Sequence, residues 1–112
     1  MPVTTATRPL IVCLCGSTRF MAEMAEANLE LTAAGCIVLA PGCDLKQPHP
    51  LWDNDTKLAA LKARLDALHR AKIEWADEVV IVSDHSGYIG ASTQAEIAYA
   101  EQLGKPVRRW SR

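Results

Sequence analysis

Three short, continuously apolar runs, separated by helical patterns, limit this chain to few folds. The runs are residues 10–15 (LIVCLC), 36–40 (CIVLA) and 79–82 (VVIV), the last of them inside a predicted strand over residues 78–83 (EVVIVS). An apolar run without polar alternation is typical of a strand covered on both faces. Residues 106–110 permit a short fourth strand. Alternating strands and helices imply right-handed crossovers and a parallel sheet with helices on both faces.

We therefore predict an α/β fold, a Rossmann-like open parallel sheet of about four strands in the order 2-1-3-4. The order reverses between the first and third strands, and ligands of open α/β sheets bind at such a switch point. The first helix is predicted to begin near residue 18 and the second near residue 55, with a leucine stripe from Leu58 to Trp75. The first helix should bury Phe20, Met24, Ala27 and Leu31.

Size and charge exclude several classes of protein. The chain has 112 residues, which predicts one domain over residues 1–112. Its formal net charge of −1 lacks the excess of positive charge that binding to duplex nucleic acid or to an anionic membrane requires. The longest N-terminal apolar stretch, residues 10–15, is too short to span a bilayer and lacks a signal-peptide layout. We expect a cytoplasmic protein without membrane or duplex nucleic-acid partners.

The four cysteines do not form a disulfide pattern. Cys13 and Cys15 share one face of a predicted central strand, Cys36 begins another strand, and Cys43 lies in a loop. Buried free thiols in a reducing cytoplasm are the favoured interpretation. A Cys-x-Cys metal site would need a second close pair of ligands, which the sequence does not offer, so we expect no metal.

The run GYIGASTQAE, residues 87–96, is the main candidate for a binding site. A glycine-rich turn between a strand and a helix brings backbone N–H groups and a helix N-terminus together, which suits an anion or a polar sugar. Glu96 would lie in the first helical turn, near the carboxyl edge of the sheet. The alternative is a capping box, Thr93-x-x-Glu96, in which the glutamate only caps the helix.

A second strand-to-helix turn has the same design and adds a positive charge. It comprises Gly16, Ser17, Thr18 and Arg19. An arginine in a first helical turn opposes the helix dipole, and a bound anion would remove that conflict. The turn therefore predicts phosphate or carboxylate binding, with an ordinary N-cap turn as the alternative.

Two further polar side chains lie near the same edge. His69 is on the apolar face of its predicted helix, where a histidine is either a core-edge residue or a neighbour of the switch-point crevice. Asp84 follows the third strand at its carboxyl end, where it either contacts the ligand or shapes a turn.

Three stretches of the sequence resemble a known family. The turn GSTRF, the segment HRAKIEWADEVVIV and the run GYIGASTQAEIAYAEQLGKPV are together similar to the nucleoside 2-deoxyribosyltransferase superfamily. That superfamily includes the 2'-deoxynucleoside 5'-phosphate N-hydrolases. The similarity extends to small members that share GSTRF, H-x-x-K-I-x-x-A-D and GYIG-x-S-T-x-x-E-I, and it covers nearly the whole chain except residues 41–54.

The resemblance implies cleavage of an N-glycosidic bond. Glu96 matches the family's nucleophile, which attacks the anomeric carbon of the deoxyribose and expels the base, after which water or a second base resolves the intermediate. The family's phosphate- or sugar-binding turn implies a 5'-phosphorylated nucleotide as substrate. The ligand-binding positions that match the family's motifs are Gly16, Ser17, Arg19, Gly90 and Ser92. The two turns of this sequence add Thr18, Asp84, Gly87 and Tyr88 as further predicted ligand-binding positions.

His69 stands where the family has an aspartate, eight residues before the aspartate that matches Asp77. A histidine can protonate a leaving base, because its unperturbed pKa is near 6.5, but it supplies no fixed negative charge. We therefore expect Glu96 and His69 to be catalytic, hydrolysis to be preferred over base exchange, and no cofactor to be needed.

The chain has more apolar surface than a small core can bury. Apolar helix surface and three tryptophans (Trp52, Trp75 and Trp110) predict a homodimer or a larger homo-oligomer.

The alternative function is a non-catalytic nucleotide-binding or sensing module on the same fold, in which Glu96 is only a cap.

Overall fold

The computed structural model describes residues 8–110. In that part of the chain, the strands are β1 (Ile11–Cys15), β2 (Ile37–Leu39), β3 (Glu78–Ile81) and β4 (Val107–Arg109). The helices are α1 (Met21–Ala33), α2 (Asp55–Trp75) and α3 (Ala91–Gln102), with short 3-10 turns at Thr18–Phe20 and Pro50–Trp52. Among these described helices, none combines the length and the apolar character that crossing a membrane requires.

The four strands form one parallel sheet in the order β2-β1-β3-β4, which confirms the predicted fold class and strand order. β1 lies beside β3 with Cys13 opposite Val79 and Cys15 opposite Ile81. Each strand is shorter than the segment that was predicted to form it. Because β1 and β3 are parallel neighbours, the turns that follow them emerge side by side.

Helices cover both faces of the sheet, because successive strand residues point to opposite sides. α1 packs on one face, and its predicted inner stripe at Phe20, Met24, Ala27 and Leu31 is buried. That face of the sheet contributes Val12, Leu14, Val80 and Val82. The C-terminal end of α2 and α3 pack on the other face, where the core holds Cys13, Cys15, Ile73, Ala76, Val79 and Ala100.

The predicted leucine stripe of α2 is not a core stripe. Of the residues of α2, all of which are described, only Ile73 is buried, while Leu68 and Trp75 are 47% and 76% exposed. A helix of 21 residues is about 31 Å long, whereas strands of three to five residues span about 10–17 Å. The first half of α2 therefore extends past the sheet and forms a wall beside the loop of residues 41–54.

Candidate functional site

A cavity of about 550 Å³ lies at the switch point, at the carboxyl ends of β1 and β3 and between α2 and α3. Its volume is in the range of small-molecule sites. Eight of the predicted site residues line it: Gly16, Ser17, Thr18, His69, Tyr88, Gly90, Ser92 and Glu96.

At Gly16, directly after β1, the backbone passes close to the chain that follows β3. A Cβ atom at Gly16 would lie 2.4 Å from the backbone oxygen of Val82, a distance that no side chain tolerates. Ser17 follows, and its Oγ accepts a hydrogen bond of 3.3 Å from the backbone N–H of Arg19. Ser17 thus caps the 3-10 turn Thr18–Phe20, and α1 itself begins only at Met21.

Glu96 does not cap its helix. α3 begins at Ala91 with Gly90 at the N-cap, and no side chain of the described residues makes a capping hydrogen bond there. Glu96 therefore lies in the second turn of α3, not in the first as predicted. The capping-box alternative is wrong, because Thr93 is a buried residue inside the helix. The carboxylate lines the cavity instead, with its Oε2 atom 3.5 Å from Nε2 of His69.

The pair of Glu96 and His69 favours uncharged forms. Burial raises the pKa of Glu96 to about 7, and the charge of Asp66 adds to that effect. Burial lowers the pKa of His69, and the charge of Lys72 adds to it while Asp66 opposes it. The 3.5 Å approach is within ion-pair distance, but both pKa shifts oppose a charged pair. At pH 7 Glu96 is therefore about half protonated and His69 is mostly neutral, and slightly below that pH the pair holds about one proton, mainly on Glu96.

His69 also contacts the core. Its Nε2 atom lies 3.3 Å from Sγ of Cys15, which is fully buried in β1. The ring, with 11% of the side chain exposed, closes the floor of the cavity between β1 and Glu96. The two interpretations of His69 therefore both hold, because one ring edge packs against the core while the ring also lines the cavity.

Arg19 stands outside the cavity wall. Its guanidinium group stacks on the ring of Tyr88, 4.1 Å from the ring centroid, and Phe20 meets the same ring edge-on. Tyr88 lines the cavity, whereas Arg19 does not. A cation–π contact of this kind orients the tyrosine at the cavity rim, and Arg19 itself is exposed.

Asp84 and Gly87 shape a turn and do not line the cavity. The carboxylate of Asp84 accepts hydrogen bonds from the hydroxyl of Ser86 and, with a smaller effect, from its backbone N–H, and these bonds lower the pKa of Asp84. The Asp84 carbonyl accepts from the N–H of Gly87 at 3.0 Å, and Gly87 has a φ of +74°, which favours glycine. Their assignment to ligand binding stays a prediction.

Several cavity residues were not predicted from the sequence. Asp66 lies one helical turn before His69 on the same face of α2, a spacing that the sequence displays. Lys62 and Lys72 also come from α2, and the ammonium group of Lys72 donates to the carbonyl of Ala40 at 2.8 Å. Lys46 comes from the irregular loop, whose path no sequence period indicates.

Comparison of this chain with family models, with curated proteins and with solved structures found no match.

Proposed function

We propose that this protein cleaves the N-glycosidic bond of a nucleoside or a 5'-nucleotide, with Glu96 as the nucleophile. The observation that carries the proposal is the position of Glu96. Its carboxyl group lies in the cavity, has no capping role, and has a pKa raised to about 7. A perturbed carboxyl group in a cleft is a candidate catalytic group.

The proposed reaction proceeds in two displacements. A carboxylate oxygen of Glu96 forms a bond to the anomeric carbon, and the bond from that carbon to the base nitrogen breaks with its electron pair going to the base. The departing base takes a proton from His69. Water then attacks the same carbon and releases the sugar, which frees Glu96 and returns a proton to the pair. Hydrolysis is preferred over base exchange.

The shared proton suits both roles of the pair. When the proton lies on Glu96, neither group is active, and transfer to His69 produces the nucleophilic carboxylate and the general acid together. The 3.5 Å separation of Oε2 and Nε2 requires only a small approach for that transfer. Asp66 lines the cavity on the same helix as His69, and its charge raises the pKa of His69, against the lowering by burial. Asp66 also supplies the negative charge that the histidine itself lacks.

The pH dependence of kcat/KM is expected to be bell-shaped. Activity needs one proton on the pair, so the rate should fall below the lowered pKa of His69, under 6.5, and again above the pKa of Glu96, about 7. The decrease in kcat/KM above pH 7 is expected because His69 can no longer act as the acid once the pair has lost its proton. In His69→Gln this acid is absent, so kcat/KM should be lower than in the wild type and should reach a plateau at high pH. A wild-type profile that levels off above pH 7 would contradict the acid role.

A 5'-phosphate is proposed to bind near Gly16, Ser17 and Thr18, with Arg19 at the rim. Arg19→Ala should weaken the binding of a 5'-monophosphate by about ten-fold or more, since a charged hydrogen bond contributes roughly 1.5–3 kcal/mol. The corresponding nucleoside should bind nearly unchanged, as measured by titration calorimetry. Arg70 is the matched control, because it also lies over a tyrosine ring, that of Tyr99. Equal losses for both ligands would show that Arg19 only holds Tyr88.

A non-catalytic nucleotide-binding or sensing module is the second candidate function. It is favoured by the same pKa shifts, because a neutral His69 and a half-protonated Glu96 are also what a passive apolar cavity produces. The two functions separate in a chromatographic screen of nucleosides and 5'-monophosphates for released base. Base that forms with the wild type and not with Glu96→Gln supports the enzyme. Binding without release at any protein concentration supports the module.

We also propose a cytoplasmic homodimer or larger homo-oligomer that associates through α2. Leu51, Leu68 and Trp75 lie on or just before that helix and are 68%, 47% and 76% exposed. Light scattering at tens of micromolar should report at least twice the mass of one chain, and Trp75→Ser should shift it toward the monomer. Leu29→Ser is the control, because Leu29 is 70% exposed on α1, across the sheet. A monomeric wild type would contradict the proposal.

A further inference from the structure

Two buried thiols lie below the floor of the cavity beside the imidazole of His69, and the proposed reaction uses neither thiol. Cys13 and Cys15 project from the same face of β1, and His69 reaches them from α2. The two Sγ atoms and a ring nitrogen of His69 all lie within 4.8 Å of one another. Sequence spacing alone shows only the Cys-x-Cys pair, because His69 is brought in by the packing of α2 on the sheet.

We propose that Cys13, Cys15 and His69 form a binding site for a thiophilic divalent metal ion, with Zn²⁺ as the ion that fits best. Two thiolates and an imidazole are the donor set that Zn²⁺ prefers over harder ions. Because His69 also lines the cavity, with its Nε2 atom 3.5 Å from Oε2 of Glu96, the fourth position of the ion is expected to open toward the cavity. This inference goes beyond the proposed function and does not require it.

The distances suit a tetrahedral ion. Zn–S bonds of about 2.3 Å and Zn–N bonds of about 2.0–2.1 Å place the ligand atoms roughly 3.5–3.8 Å apart. The separation of 3.3 Å between Cys15 Sγ and His69 Nε2 is already close to that value. The remaining separations, all within 4.8 Å, need only small side-chain rotations.

The charges also balance. Each thiol loses its proton on binding, so two protons leave through the cavity and two thiolates neutralise the charge of the ion. A neutral imidazole adds none, and a buried cluster with no net charge avoids the cost of an uncompensated ion in the core. The bound ion would be coordinated by Nε2 of His69 and would lie next to Glu96. Metal binding should therefore inhibit any reaction that uses Glu96 and His69 together.

The site can be tested with Co²⁺ as the probe on the full chain, reduced and stripped of metal. One equivalent should produce sulfur-to-cobalt charge-transfer absorption and the strong visible bands of tetrahedral cobalt, and Zn²⁺ should remove both. The double variant Cys36→Ser, Cys43→Ser is the matched control and should give the same spectrum. Cys13→Ala and Cys15→Ala should each weaken Co²⁺ binding by about 100-fold or more. Loss of a residue that only hydrogen-bonds to a metal ligand already costs about 10–100-fold, and loss of a ligand itself should cost at least as much.

Several results would overturn the metal site. These are the absence of the thiolate bands in the wild type, an octahedral cobalt spectrum, or a signal that depends on Cys36 and Cys43. If the Cys13 and Cys15 variants do not fold, the wild-type spectrum and the control variant still decide the question. Because the readout needs no substrate, the outcome is independent of catalysis: Glu96→Gln should still bind Co²⁺ whether or not the protein releases base.

Discussion

Glu96→Gln is expected to abolish base release and, at the same time, to raise the melting temperature above pH 7. Glutamine keeps the shape of the side chain but cannot form the glycosyl ester. Loss of a covalent nucleophile should raise the barrier by at least about 4 kcal/mol, or about a thousand-fold in rate. Release of base from a nucleoside or a 5'-monophosphate, followed by chromatography, measures this effect.

The gain in stability follows from the raised pKa of Glu96. In the folded protein that pKa is about 7, compared with 4.5 for an unperturbed glutamate, so the fold prefers the protonated form. The stabilising effect of the raised pKa is fully present below pH 4.5 and is lost as the pH rises through 7. Glutamine stays neutral, so the variant should melt higher than the wild type at pH 8 and should not differ from it in this way at pH 4.

Glu101→Gln is the matched control, because Glu101 is an exposed glutamate on the same helix and does not line the cavity. It should retain activity and show no such pH-dependent gain. A Glu96→Gln variant that melts lower at pH 8 would mean that the carboxylate stabilises the fold through a charged contact with His69. A variant that still releases base at the wild-type rate would remove Glu96 from the mechanism.

Gly16→Ala is expected to produce the largest loss of stability among the glycine substitutions at the site. The added methyl group would lie 2.4 Å from the backbone oxygen of Val82 and 3.0 Å from Cε of Met24. Backbone cannot rotate away as a side chain does, so the ends of β1 and β3 must separate. Overpacking of about 1–3 kcal/mol corresponds to a melting temperature roughly 5–15 °C lower.

Gly42→Ala provides the comparison. A Cβ atom at Gly42 meets no described atom within 4 Å, and the backbone φ is not in the left-handed region, so its melting temperature should stay near that of the wild type. Thermal unfolding of both variants, followed by circular dichroism, measures the difference. Equal melting temperatures for Gly16→Ala and Gly42→Ala would show that the ends of β1 and β3 are not in contact. The two turns that line the cavity would then not lie side by side.

The amino-acid sequence alone determined the fold class and the place in the fold where the cavity lies. Uninterrupted apolar runs need cover on both faces, so each predicted a parallel strand, and the strand order followed from the crossovers. The runs of β1 and β3 are buried in the centre of the sheet, whereas β2 lies at its edge, with Ile37 45% exposed. The buried stripe of α1 was predicted for the same reason, because a helix over a sheet repeats its contacts every three or four residues. The cavity at the ends of β1 and β3 is a consequence of that topology.

Only the tertiary structure decided what individual side chains do. Thr93 and Glu96 match a capping box in sequence, but α3 begins at Ala91, and that start depends on how the turn after β3 packs. The leucines of α2 have core periodicity, yet the helix is longer than the sheet, so they form a wall. Cys15 and His69 are far apart in the sequence and 3.3 Å apart in the fold. Periodicity is a local property of the chain, whereas contacts between elements depend on their relative lengths and positions, which no short segment encodes.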